Sequence, residues 1–195
     1  MYRDNHPKPS SRGATRRAVL LGAAAIAAAS RSARAADPPA DLPGWGATRW
    51  GMSRDELAGA VGAKLVRLRD PLRYDKLIVR ETLPNRRIAG RPFVALFQFD
   101  AGERLAQVLL RYRGDFPMLS DFAAVRDALA KDLGAPKERR AETDYSGSFP
   151  SFWIEAGWRF PTTEIVLSLT DPNARAFSRR RKTLVVRYSP AVSRR

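Results

Sequence analysis

The chain of 195 residues has no cysteine and a single histidine, His6. No disulfide, thiolate nucleophile or cysteine-borne lipid anchor can form. Beyond the first few residues there is no imidazole either. Ser-His-Asp triads, Cys-His pairs, the usual zinc sites and haem or iron–sulfur ligation by His or Cys are therefore excluded from Ala36 onward. No cofactor is expected. Gly-rich phosphate loops and nucleophile elbows are missing too. Long hydrophobic runs are scarce: the stretch from Ala18 to Ala29 has only 12 residues, whereas a membrane-spanning helix needs about 20. The fold must rest on its apolar core.

The N-terminus has the three zones of an export signal. Met1 to Arg17 is polar and basic, Ala18 to Ala29 is uniformly apolar, and Ala33-Arg34-Ala35 offers small residues for a signal peptidase. Thr15-Arg16-Arg17-Ala18-Val19-Leu20 resembles a twin-arginine translocation motif, with Arg16 and Arg17 as the pair. An ordinary secretory signal is the alternative. Residues 1–35 are thus expected to be a cleavable signal peptide, cut after Ala35, with the mature protein in the periplasm. A flexible leader is expected over 36–44, one α+β domain over 45–190 and a short tail over 191–195.

The whole chain carries a formal charge of +15. Removing seven basic residues and Asp4 with the leader leaves 28 cations against 19 acids, a net +9 over 160 residues. Such a surface attracts anions. In an envelope compartment these would be lipid headgroups, glycan phosphates or an acidic protein; nucleic acid is not expected. A generally basic, solvated surface is the plain alternative.

Two helices and a series of strands follow from the periodicity. Asp37 to Leu42 is Pro-rich and expected to be extended and mobile. Ser53-Arg54-Asp55-Glu56 forms a capping box, opening a short helix that Gly62 stops. Short strands are expected at 65–68 and 76–83. Arg91 to Phe99 alternates, with Phe93, Ala95, Phe97 and Phe99 on one face and Val94, Leu96 and Gln98 on the other. Asp100 to Glu103 turns the chain into a partner strand, Arg104 to Arg113. A second helix, N-capped by Ser120, carries Phe122, Val125, Leu129 and Leu133 at helical spacing and stops at Gly134 before Pro136. Three more strands are expected at 151–160, 163–170 and 182–188, with a polar, basic loop over 171–181. Runs of strands point to the α+β class: an antiparallel sheet with two helices packed on it, arranged as two tandem helix-then-strands half-units, 45–113 and 114–190.

Trp50-Gly51-Met52-Ser53 with Asp55-Glu56-Leu57, the Phe-rich strand and the stop Leu133-Gly134-Ala135-Pro136 resemble a loose group of small exported proteobacterial proteins. Their helix-then-strands order is similar to β-lactamase-inhibitor-like folds and to the small lipoprotein of the outer-membrane assembly machinery. The resemblance implies binding through a sheet surface or loops, without catalysis. The lipidation cysteine of that lipoprotein has no counterpart here.

Arg175, Arg179, Arg180, Arg181 and Lys182 form the densest basic cluster and are candidates to grip phosphate or carboxylate; solvated charges guarding an apolar strand are the alternative. Arg86-Arg87 and Arg139-Arg140 are further basic pairs expected in loops. Trp45 and Trp50 are expected to pin the N-terminal segment to the core. Trp153 and Trp158, five apart on a strand, face opposite sides, so at most one is core and the other is a candidate contact. Carboxylates are the only general bases left, and Glu142 with Asp144, or Asp100 with Glu103, would carry any hydrolysis; both pairs lie in turn-like sequence. A non-catalytic periplasmic binding or interaction protein, engaging an envelope protein or an anionic lipid or glycan, is the expectation. The alternative is an envelope hydrolase or glycan-active enzyme working through Asp or Glu alone.

Overall fold

The structure, a computed structural model, describes residues 37–144, 151–171 and 182–192. Those residues are mostly one antiparallel sheet of eight strands with two short helices. The order is α1 (Arg54–Val61), β1 (Val66–Tyr74), β2 (Leu77–Ile88), β3 (Arg91–Phe99), β4 (Leu105–Tyr112), α2 (Leu119–Leu133), β5 (Glu138–Asp144), β6 (Ser151–Arg159), β7 (Thr163–Asp171) and β8 (Thr183–Pro190), with a single 3₁₀ turn (Gly62–Lys64) after α1. In space the strands run β1-β2-β3-β4-β8-β7-β6-β5. A helix and a four-strand meander therefore occur twice, and the meanders join through their last strands, β4 and β8. None of the described helices is long and apolar enough to cross a membrane.

One face of the sheet is the core. Phe93, Ala95, Phe97, Val108, Leu110, Val186, Leu167, Ile165, Ala156 and Trp158 are buried in one apolar cluster that also takes in Leu57 of α1 and Phe122, Val125 and Leu129 of α2. Cross-strand partners such as Phe97↔Val108 and Leu110↔Val186 carry this cluster across the central strands. Bulges re-aim particular side chains. Val79 pairs with Gln98 and Glu81 with Phe97, so the extra residue in β2 turns Glu81 to the core side. There Arg54 of α1 meets it, with Nε and Nη2 both donating to Oε1, the Nε contact at 3.0 Å.

The edges explain two departures from expectation. β1 runs on to Tyr74 rather than ending at Leu68, and β5, expected as turn, is a strand. Both are edge strands rich in charge, and β1 contains Pro71. β5 does not alternate apolar and polar residues, and β1 alternates only over Val66 to Arg69 before Asp70 and Pro71 interrupt it; an outermost strand that deters pairing with another chain carries charge instead. Arg86-Arg87 and Arg139-Arg140 consequently lie on β2 and β5 rather than in loops, as do Glu142 and Asp144. Two-residue turns close β1–β2 and β2–β3. Ala89 and Gly90 both have positive φ, 49° and 74°, as a primed hairpin turn requires.

The first helix has the capping box that Ser53 and Glu56 specify, and it ends at Gly62 with φ of 74°. The second begins two residues earlier than Ser120 indicates. Met118 is the N-cap, and Asp121 reaches back so that its Oδ2 accepts from Met118 N at 2.9 Å. This backbone hydrogen bond, then the Arg91 guanidinium at 2.8 Å, holds the Asp121 carboxyl below its ordinary range.

The Pro-rich stretch expected as a flexible leader over 36–44 is tied to the β6–β7 turn at Asp41 and Leu42. Asp41 accepts from Thr162 N at 3.0 Å and from Thr162 Oγ1 at 2.9 Å, and these bonds keep its carboxyl ionised to lower pH than usual. Leu42 O accepts from the hydroxyls of Thr162 and Thr163. Trp50 Nε1 donates to Thr163 Oγ1 at 2.8 Å, and the Trp45 ring lies 5.8 Å from that of Phe97. Backbone bonds from Gly51 N to Leu105 O and from Leu105 N to Met52 O add a third tie. Polar backbone in a Pro-rich segment needs partners wherever it is shielded from water, and the β6–β7 turn supplies them.

Candidate functional site

Opposite the core, the second face of the sheet is built from the alternate residues of each strand. Strand register places them in rows running across the sheet. Leu96, Leu109, Arg187, Val166 and Gly157 make one row; Val94, Arg111, Val185, Ser168 and Glu155 make the next. Gln98 and Gln107 are opposite each other at the β3 end. This face is amphipathic, with aliphatic side chains between single charges and amides.

The β1–β2 hairpin folds over it. Asp75, with φ of 52°, makes the tip, and Arg111 Nη1 donates to Tyr74 Oη at 3.5 Å. Between the hairpin tip and the sheet lies an open groove of about 540 Å³. Its floor is Gln98, Gln107, Leu109, Val166, Val185 and Arg187, with Ser168 and Glu155 at the far side and Tyr74 to Leu77 as its wall.

Gln98 is the unusual member. It is 1% exposed, its Oε1 accepts from Gln107 Nε2, and its own Nε2 has no hydrogen-bond partner. An idle buried donor costs about 1–3 kcal/mol. Among the described residues two other buried atoms are in the same condition, Glu81 Oε2 and Arg159 Nε. Glu81 borders a second groove of about 500 Å³ beside the start of α1, where Arg54, Arg67 and Arg104 alternate with Asp55 and Glu103. Arg159 lines a cavity of only about 30 Å³ and donates through Nη2 to Glu164 at 3.1 Å.

The residues singled out in the sequence distribute as follows. Trp158 is buried and its Nε1 donates to Gly134 O at 2.7 Å, so its ring is committed to the core. Trp153 is on the opposite side of β6, half-buried between Thr170 and Glu142, at the end of the sheet away from Gln98. Lys182 bonds Asp171 at 2.7 Å and lies over the Phe152 ring at 5.9 Å, tying the start of β8 to the end of β7. Arg175, Arg179, Arg180 and Arg181 lie outside the described residues, as do Arg16, Arg17, Ala33 and Ala35. Asp100, Glu103 and Glu142 are not among the residues that line the groove. Asp100 and Glu103 are in the β3–β4 turn, where Asp100 Oδ1 accepts from Arg104 N at 2.9 Å. Glu142 is exposed on the edge strand β5.

Gln98, Gln107, Arg111 and Arg187 are the residues sequence reasoning did not single out. The signal was present in Arg91 to Phe99: an amide in the alternation of a strand buried on both sides needs a partner. The chain matches no protein-family model, no curated protein and no solved structure.

Proposed function

We propose that this chain is an exported, non-catalytic binding module of the cell envelope that receives its ligand on the open face of the sheet. The observation that carries the reading is the groove under the β1–β2 hairpin, which combines an aliphatic floor, cations without an ion-pair partner among the described residues, and a buried amide nitrogen with no hydrogen-bond partner among them. Supporting it are the basic–apolar–small order of residues 1–35 and the lack of any imidazole or thiol after His6. In the same reading the helix-and-four-strand pattern is a duplicated half-unit, with α1 and α2 packed on the core face, akin to the inhibitor-like and assembly-lipoprotein folds. Their binding through a sheet surface suits a groove lined by residues from seven strands. An anionic partner suits the net positive charge.

The test has two parts. Expressed with its own leader, the protein should appear in the periplasmic fraction with Ala36 as its first residue, and recovery from the cytosol beginning at Met1 would remove the export half of the reading. Titration with envelope anions should move the amide resonances of Gln98, Gln107 and Arg187 in a saturable way. Turnover of a glycan or ester substrate, abolished by replacing Glu142 or Asp100, would establish the hydrolase alternative instead.

A further inference from the structure

Three features of the groove converge on one kind of ligand. The first is the donor: Gln98 Nε2 is buried without a partner, and Gln107 holds the amide in place through Oε1. A group in this state calls for an acceptor oxygen. The second is charge. Arg187 and Lys76, both on the groove, form no ion pair with another described residue, and among the described residues Arg111 beside it bonds the Tyr74 hydroxyl; the acids on the lining are Asp75 at the hairpin tip and Glu155 at the far side, the latter already engaged by a partner. The third is the aliphatic strip of Leu77, Leu109, Val166 and Val185, which a purely ionic ligand would leave exposed.

We infer that the groove binds a small amphiphilic carboxylate, an acyl chain with one anionic head, whose oxygens take the Gln98 amide and the Arg187 guanidinium while the chain lies along the aliphatic strip. This deepens the reading of the open face as the binding face and rests on it. An inorganic phosphate would use the cations and leave the strip uncovered. A neutral alcohol of the same length would cover the strip and leave the cations and the amide without an acceptor strong enough to repay their desolvation. Both halves of the ligand are therefore needed, and the groove's volume of about 540 Å³ accommodates a medium-length chain.

The experiment titrates the full protein with decanoate below its micelle-forming concentration, in parallel with decanol, acetate and inorganic phosphate, following groove amide resonances. Decanoate is expected to saturate at least about tenfold more tightly than any of the other three. Gln98→Leu should weaken decanoate about tenfold and leave decanol unchanged, since only the donor is lost. That variant removes an unpaired buried group, and the half-buried Gln107 can turn to water, so folding is retained. Arg187→Gln, at an exposed position, gives an independent reading and should weaken decanoate severalfold. Decanoate affinity unchanged from that of the wild-type protein in both variants would overturn the inference. So would phosphate or acetate binding the groove as tightly as decanoate, though the open face would then stand as a binding surface. If none of the four moves groove resonances, the amphiphile inference fails; an envelope anion that does move them keeps the wider reading, and none doing so sinks both.

Discussion

Replacing Thr163 by valine should expose how much the N-terminal segment owes to one buried hydroxyl. Thr163 is fully buried; its Oγ1 accepts from Trp50 Nε1 at 2.8 Å and donates to Leu42 O. Valine keeps the volume and deletes both bonds. Leu42 O retains the Thr162 hydroxyl at 2.7 Å, so its loss is small. The indole N–H of half-buried Trp50 is left with no replacement in the protein, a cost of about 1–2 kcal/mol. For a domain of this size that corresponds to a fall in Tm of roughly 3–6 °C. The cleanest assay is a double-mutant cycle with Trp50→Phe, which removes the donor. In the Trp50→Phe background Thr163→Val should cost only a few tenths of a kcal/mol, giving a coupling of about 1 kcal/mol in urea denaturation. Strict additivity, with the two single costs summing to the double within about 0.3 kcal/mol, would refute the bond as the tie between the segment and the β6–β7 turn.

Three further outcomes follow from local geometry. Gly134 has φ of 82°, and an added Cβ would lie 3.1 Å from Pro38 Cγ; Gly134→Ala should lower stability by about 1–2 kcal/mol in denaturant melts, and a neutral result would mean that neither the backbone strain nor the Pro38 contact matters. Ala89 holds φ of 49° in the β2–β3 turn; Ala89→Asn should raise stability by up to about 1 kcal/mol, measured the same way, because Asn tolerates that conformation. Asp121→Asn should cost about 1 kcal/mol at pH 7 through its weakened bonds to Met118 N and Arg91. The folded carboxyl titrates below its ordinary value, so its contribution is present above the unfolded value near pH ~4 and is lost as pH falls further. The difference from wild type should therefore shrink on going from pH 7 to about pH 3, and a constant difference would contradict the charged role.

The central strands were legible because burial on the core face writes itself as alternation. Phe93, Ala95, Phe97 and Phe99 announced β3, and Trp153 and Trp158 announced that β6 has two sides. The capping box of α1 is a local signal and was read directly. The edge strands were legible only in part: the start of β1 falls within the strand expected at 65–68, whereas its continuation to Tyr74 and the whole of β5 rest on backbone pairing that no alternation announces. Asp41 and Leu42 looked loose because their partners, Thr162 and Thr163, are more than a hundred residues away. The groove was hidden for the same reason. Gln98 and Gln107 are close in sequence, but Arg187 joins them only through the β4–β8 pairing, which no local pattern encodes.

Binding on the open face is the claim on which the rest depends, and heteronuclear NMR titration of the protein with decanoate tests it most directly. The expected result is saturable movement confined to the groove, centred on Gln98, Gln107, Leu109 and Arg187, with the core-facing Phe97 and Val108 unmoved. Movement spread over the core face, or none at the groove with any envelope anion, would contradict it.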